Sequence, residues 1–146
     1  PTPAAPSLEA CQAAMASVST GDLRGTLLVG HSVGCQVVMR FLAGVPPGAG
    51  PLGFLAVAGW FTLDTAWPTI RPWIDTPIDT EAVRRACPDV RLLLSDDDPF
   101  TGDHVANAAL WRERLGAAVE LVPGARHFNA APQHPVLRAV RQLVGP

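Results

Sequence analysis

The sequence has no lysine; all eleven of its basic residues are arginine, scattered along the chain. Charge of either sign is sparse at 16% of residues, and the formal net charge is -2. A chain so balanced carries nothing that suggests a nucleic-acid partner, and none is expected. The arginine-only usage reads as the codon bias of a GC-rich genome, not as a phosphate-binding device. Long apolar runs are missing as well. None approaches the roughly 18 residues that a membrane span requires, so no membrane partner is expected. Cysteine is limited to Cys11, Cys35 and Cys87. They lack a zinc spacing and leave one over from any pairing. Reduced thiols in a cytoplasmic protein are the expectation. The opening "PTPAAPSLEA" has no initiator Met, basic region or apolar signal core, so Pro1 is not expected to be the natural start.

What is present suits one folded domain. The chain has 146 residues, of which 48% are hydrophobic, enough for a real core. No repeat recurs along it. Short apolar runs alternate with longer amphipathic ones. Thr26–Val29, Phe54–Ala58, Val90–Leu94 and Ala118–Val122 read as buried strands bounded by glycine, proline or acidic residues. Helices are expected at Ser7–Ala16, at Val33–Ala43 before Gly44, from an Asp79 cap to Ala86, at Asp103–Leu115 and at Pro135–Val144. Strands alternating with helices imply a parallel sheet covered on its faces. Right-handed crossovers then bring the functional strand ends to one edge.

Gly59–Asp79 breaks the rhythm. It holds Trp60, Trp67, Trp73 and three prolines, too many for a long helix. One reading is a surface loop pinned by aromatics. The other is a cap over a pocket, because the segment leaves the second strand at its C-terminal end.

Gly30-His31-Ser32-Val33-Gly34 is a G-x-S-x-G string between an apolar strand and an amphipathic helix. Chance can supply five such residues, but the context is harder to come by. A strand that turns at once into a helix brings two backbones together. Glycine on both sides removes colliding side chains, and the serine is strained with its Oγ at the sheet edge. Ser32 is therefore the candidate nucleophile. The helix beginning at Val33 aims free N–H groups at developing negative charge, and the Val33 N–H is the first oxyanion donor.

A serine hydroxyl needs a base at neutral pH. His31 adjoins Ser32, but the turn should point it toward packing or a structural hydrogen bond. His104 begins a helix and His134 precedes Pro135, so both are expected to be exposed. His127, in "PGARHFNA" after the last strand, shares the edge with Ser32 and is the best base. The base needs a carboxylate. Asp96, Asp97 and Asp98 end the third strand, and Pro99 biases Asp98 toward an extended conformation. Asp96 and Asp97 read as a solvated loop. Asp64 is a rival acid. The resulting order is Ser32, Asp98, His127. A metal reading of His31, His127 and the aspartates lacks a ligand spacing such as H-x-x-x-H. No metal and no cofactor are expected. His31, Trp60, Phe61, Trp67, Trp73 and Phe100 are candidate substrate contacts, which would favour an apolar or aromatic acyl group.

"LVGHSVGC", "SDDDPF" and "GARHFNA", in that order and spacing, resemble the small serine hydrolases of the retinoblastoma-binding-protein-nine and YdeN family. "RPWIDTPIDTEAVRRACPDV" and "PTPAAPSLEAC" resemble further parts of it. The similarity covers nearly the whole chain. It implies an α/β-hydrolase fold, three layers α/β/α around a mostly parallel sheet, with residues 1–146 as a single domain. It carries the family's triad onto Ser32, Asp98 and His127. It also implies hydrolysis of small ester or amide substrates. Family members begin with a strand and a glycine-containing loop that have no counterpart here. That loop supplies the second oxyanion N–H. The chain is therefore expected to be a fragment, and as a full length to be weakly active. Loss of one oxyanion donor costs about 10²–10³ in rate. The competing functions are a non-catalytic binding protein on the same fold, with Trp60–Trp73 as a partner surface, and an acyltransferase.

Overall fold

Four short runs of β-branched and leucine-rich sequence pair as parallel strands, and the amphipathic runs between them form helices. A computed structural model describes residues 5–18 and 21–145. Residues 1–4, the front of one stretch compared with the family, lie outside that set. The elements run α1 (Leu8–Val18), β1 (Leu27–His31), α2 (Val33–Ala43), β2 (Gly53–Val57), α3 (Arg71–Asp75), α4 (Thr80–Ala86), β3 (Val90–Leu94), α5 (His104–Leu115), β4 (Ala118–Leu121) and α6 (His134–Val144).

Strand order follows chain order, β1-β2-β3-β4, and every pairing is parallel. Right-handed crossovers in such a sheet put all connecting helices on one face. That face is packed by Cys35, Met39 and Leu42 of α2, Val83 of α4, and Trp111 and Leu115 of α5, against Phe54, Ala56, Leu92 and Leu94. The other face receives α6. Leu55, Val57 and Leu93 pack there against Ala139, Val136, Val140 and Leu143. All five residues of β2 are buried, so the centre of the sheet is covered on both sides. Burying a leucine or phenylalanine there stabilises by about 1.5–3 kcal/mol. β1 lies at the sheet edge, and Val29 on it is 48% exposed.

The expected helices form within a few residues of their readings. Asp79 and Asp103 cap α4 and α5, accepting from the N–H groups of Ala82 and Ala106. α5 ends on Gly116 in the left-handed conformation. Two bounds move. β1 runs on through Gly30 and His31 because they pair with Ala56 and Val57. α3 forms inside the proline-rich segment, with Pro72 in its first turn, where a missing N–H costs no helical bond.

Candidate active site

Ser32 sits between the last residue of β1 and the first of α2, at φ 53° and ψ −120°. A non-glycine residue there is strained and persists only where its surroundings impose it. The Ser32 N–H donates to Val57 O at 2.9 Å, and Cys35 N donates to Ser32 O at 3.0 Å. A Cβ on Gly30 would stand 2.9 Å from the Cys35 backbone, so glycine is required there. At Gly34 an added Cβ meets nothing within 4 Å. Close packing therefore explains one flanking glycine and not the other. Beneath the turn, burial pushes the Cys35 thiol up to about 12. Its Sγ donates to Gly30 O at 3.2 Å. Val33 opens α2, so its N–H has no carbonyl four residues back and is free for an oxyanion.

His127 and Asp98 are brought together from loops that follow β4 and β3. The Nδ1–H of His127 donates to Asp98 Oδ2 at 2.9 Å, and the pair is buried. A carboxylate can only accept, which places the proton on Nδ1 and leaves Nε2 as the basic atom. Asp98 Oδ1 accepts from Phe100 N at 2.9 Å, so both carboxylate oxygens are fixed. Phe100 meets the His127 ring edge-on at 4.6 Å. Ser32 and His127 line one cavity of about 290 Å³ with Pro6, Val33, Trp60, Leu63, Trp67, Ile70, Phe100 and Asn129. Among the described residues no hydrogen bond joins Ser32 Oγ to the imidazole. Such bonds commonly tighten only with substrate present.

The other expected residues divide. Trp60, Trp67 and Phe100 line the cavity, whereas Phe61 and Trp73 do not. Phe61 packs on Trp111 and under the Arg114 guanidinium. Trp73 is buried with Cys11, Trp60 and Ile70, and its indole N–H donates to Pro6 O at 3.0 Å. His31 is exposed, and its Nε2–H donates to His127 O at 2.8 Å. It therefore holds His127 instead of lining the cavity. Asp64 accepts from Gly102 N at 2.8 Å, supporting the loop after Phe100. His134 is exposed, but His104 is half-buried with an unpartnered Nδ1. Leu63, Ile70 and Asn129 escaped the sequence reading. Irregular chain has no periodicity to assign a side chain to one face. Among the described residues no group of three or more His, Cys, Asp or Glu side chains is arranged to hold a metal ion. No helix among them is long and apolar enough to cross a membrane.

A parallel α/β sheet with a strained serine at a sharp strand-to-helix turn is the architecture of α/β-hydrolases. The chain belongs to the serine hydrolase family, whose profile matches residues 3–145. Among solved structures it is similar to the ydeN gene product from B. subtilis, at 22% identity and a TM-score of 0.81. The match covers 97% of this chain and 77% of that one. An esterase domain from a Rhodothermus marinus protein gives 18% identity and a TM-score of 0.65 over 98% of this chain and 72% of its own. A structure from work on carboxylesterases of the thaumarchaeon Nitrososphaera gargenis gives 11% and 0.66, over 96% and 73%. These likenesses establish the YdeN-like hydrolase fold. No curated protein sequence matches the chain.

Proposed function

We propose that this domain cleaves ester or amide bonds of small substrates through an acyl-enzyme on Ser32. The observation that carries the reading is His127. Its Nδ1 is held by Asp98, while its ring borders the cavity that Ser32 lines. As Ser32 Oγ attacks the substrate carbonyl, its proton passes to His127 Nε2. Asp98 orients the imidazole and stabilises its charged form. The Val33 N–H receives the developing oxyanion. Collapse of the tetrahedral intermediate expels the alcohol or amine, which takes the proton from His127. Water, deprotonated by the same nitrogen, then attacks the acyl-enzyme and frees Ser32.

The cavity argues for the acyl group. At about 290 Å³, walled by Val33, Trp60, Leu63, Trp67, Ile70 and Phe100, it suits a small apolar or aromatic acyl chain. The three free, buried cysteines fit a reducing, cytoplasmic setting. Turnover of short-chain p-nitrophenyl esters tests the reading. Activity that falls to background in Ser32→Ala is expected; activity that survives the substitution removes the serine from the mechanism.

A further inference from the structure

Ser95, Asp96, Asp97 and Asp98 follow β3 as four consecutive residues. Each one ties a residue of the stretch Gly124 to His127. Gly124 N donates to Asp96 Oδ1 at 2.9 Å, and Ala125 N donates to Ser95 Oγ at 3.0 Å. Arg126 N donates to Asp97 Oδ1 at 2.7 Å, and His127 Nδ1 donates to Asp98 Oδ2 at 2.9 Å. Ser95 Oγ–H also donates to Asp97 Oδ1 at 2.6 Å, linking two of the ties. Only the fourth bond belongs to the triad. The other three hold backbone.

The gripped loop would not hold this shape by itself. Gly124, Arg126 and Phe128 have φ of 66°, 51° and 53°. Two of these are non-glycine residues in the left-handed region, where strain persists only if neighbours over-determine it. A turn of this kind gathers successive N–H groups into a nest that favours an anion. Here the anion is a side chain of the chain itself. The Ser95 hydroxyl first, and the Arg126 N–H second, hold the Asp97 carboxyl below the usual carboxylate range.

We propose that Ser95, Asp96 and Asp97 form a positioning clamp, centred on Asp97, that fixes the strained loop and thereby sets where His127 stands relative to Ser32. The clamp rests on the hydrolase reading for its catalytic consequence, and on hydrogen bonding alone for its geometric one. A misplacement of about 1 Å can cost on the order of 10²-fold in rate. Asp97 is thus a positioning residue acting through His127.

The test combines kinetics on a p-nitrophenyl ester with proton NMR of the His127 Nδ1–H, which a carboxylate partner moves far downfield. Asp97→Ala is expected to lower kcat at least about tenfold with KM within about twofold, and to broaden or abolish the resonance. Asp97→Asn keeps an oxygen that accepts from both Ser95 and Arg126, and is expected to recover most of kcat and the resonance. Native kcat and an unchanged resonance in Asp97→Ala would overturn the clamp. So would an asparagine variant as impaired as the alanine one. Should Asp97→Ala fail to fold, Ser95→Ala cuts one tie and weakens a second. A several-fold loss of kcat with a broadened resonance supports the clamp there, and native behaviour overturns it. Without Ser32-dependent turnover in the wild-type chain the hydrolase reading fails, and the resonance still decides the clamp.

Discussion

The loop Ser95–Asp98 and the segment Gly59–Asp79 both support the cavity, one by hydrogen bonds to the loop that carries His127 and the other by tryptophans in the wall and packed behind it. After β3, consecutive side chains grip consecutive backbone groups of the histidine loop. The wall is anchored differently. Gln36 of α2 donates to Trp60 O at 2.5 Å, and Asn107 of α5 donates to Gly59 O at 2.8 Å. Arg40 of α2 donates to Trp73 O at 2.9 Å. Trp60 and Trp73 are each only 1% exposed, whereas Trp67 is 41% exposed. Hydrogen bonds are directional and fix an atom. Burial fixes a surface and tolerates small shifts. In the proposed mechanism the atom that receives a proton needs the first kind of support, and the wall for an acyl chain needs only the second.

Changes at the base should therefore cost rate, and changes in the wall should cost stability or affinity. The largest effect is expected from Asp98→Asn, which keeps the shape but favours the wrong tautomer of His127. A fall in kcat of about 10⁴ with near-native thermal stability is expected, read from steady-state kinetics beside a melting curve. Asp64→Ala, removing the rival acid, should leave kcat within about threefold, since its carboxylate bonds Gly102 N. Equal losses in the two variants would return the acid to doubt.

Behind the wall, Trp73→Ala should destabilise by about 3–5 kcal/mol, measured by denaturant unfolding. Trp67→Ala, at an exposed position, should change stability by under about 1 kcal/mol and raise KM a few-fold for an aromatic acyl ester. A Trp67 variant as destabilised as the Trp73 variant would erase the distinction between pinned and cavity-facing tryptophans.

Much of this contrast could be read in advance. Val90–Leu94 was legible to the residue, because a five-residue apolar run beside Pro88 and Ser95 has one plausible fate. The strand ends alone sufficed to expect Asp98 beside His127 and His127 on the cavity that Ser32 lines. The roles of Asp96 and Asp97 were not legible. Asp96 and Asp97 read as a solvated loop, and both are indeed exposed, yet each is bonded to a backbone group of the histidine loop. Local sequence carries no mark of a partner on another loop. Nor could it separate Trp67 and Trp60 from Trp73, since chain without regular periodicity has no face to predict. The extension of β1 through Gly30 and His31 likewise comes from pairing with β2, against the weak strand preference of glycine.

Smaller effects sharpen the same comparison. The Asp97 carboxyl is held below its ordinary value of 3.8. The folded form therefore favours the ionised group. Its contribution to stability is present above the ordinary value and is lost as pH falls through the lowered one. Acid unfolding of wild type and Asp97→Asn should differ above that window and converge below it. The smallest change concerns Cys35 and Cys87, whose thiols burial pushes up to about 12 and about 11. Both should resist thiol-specific reagents in the native chain at neutral pH and react fully after denaturation.

The most direct measurement is a fluorophosphonate reaction with the intact chain, followed by peptide mapping of the adduct. One phosphonyl group on Ser32, lost in Ser32→Ala and strongly slowed in His127→Ala, is the predicted result. An adduct on another residue, or labelling of Ser32→Ala at the wild-type rate, would contradict the account.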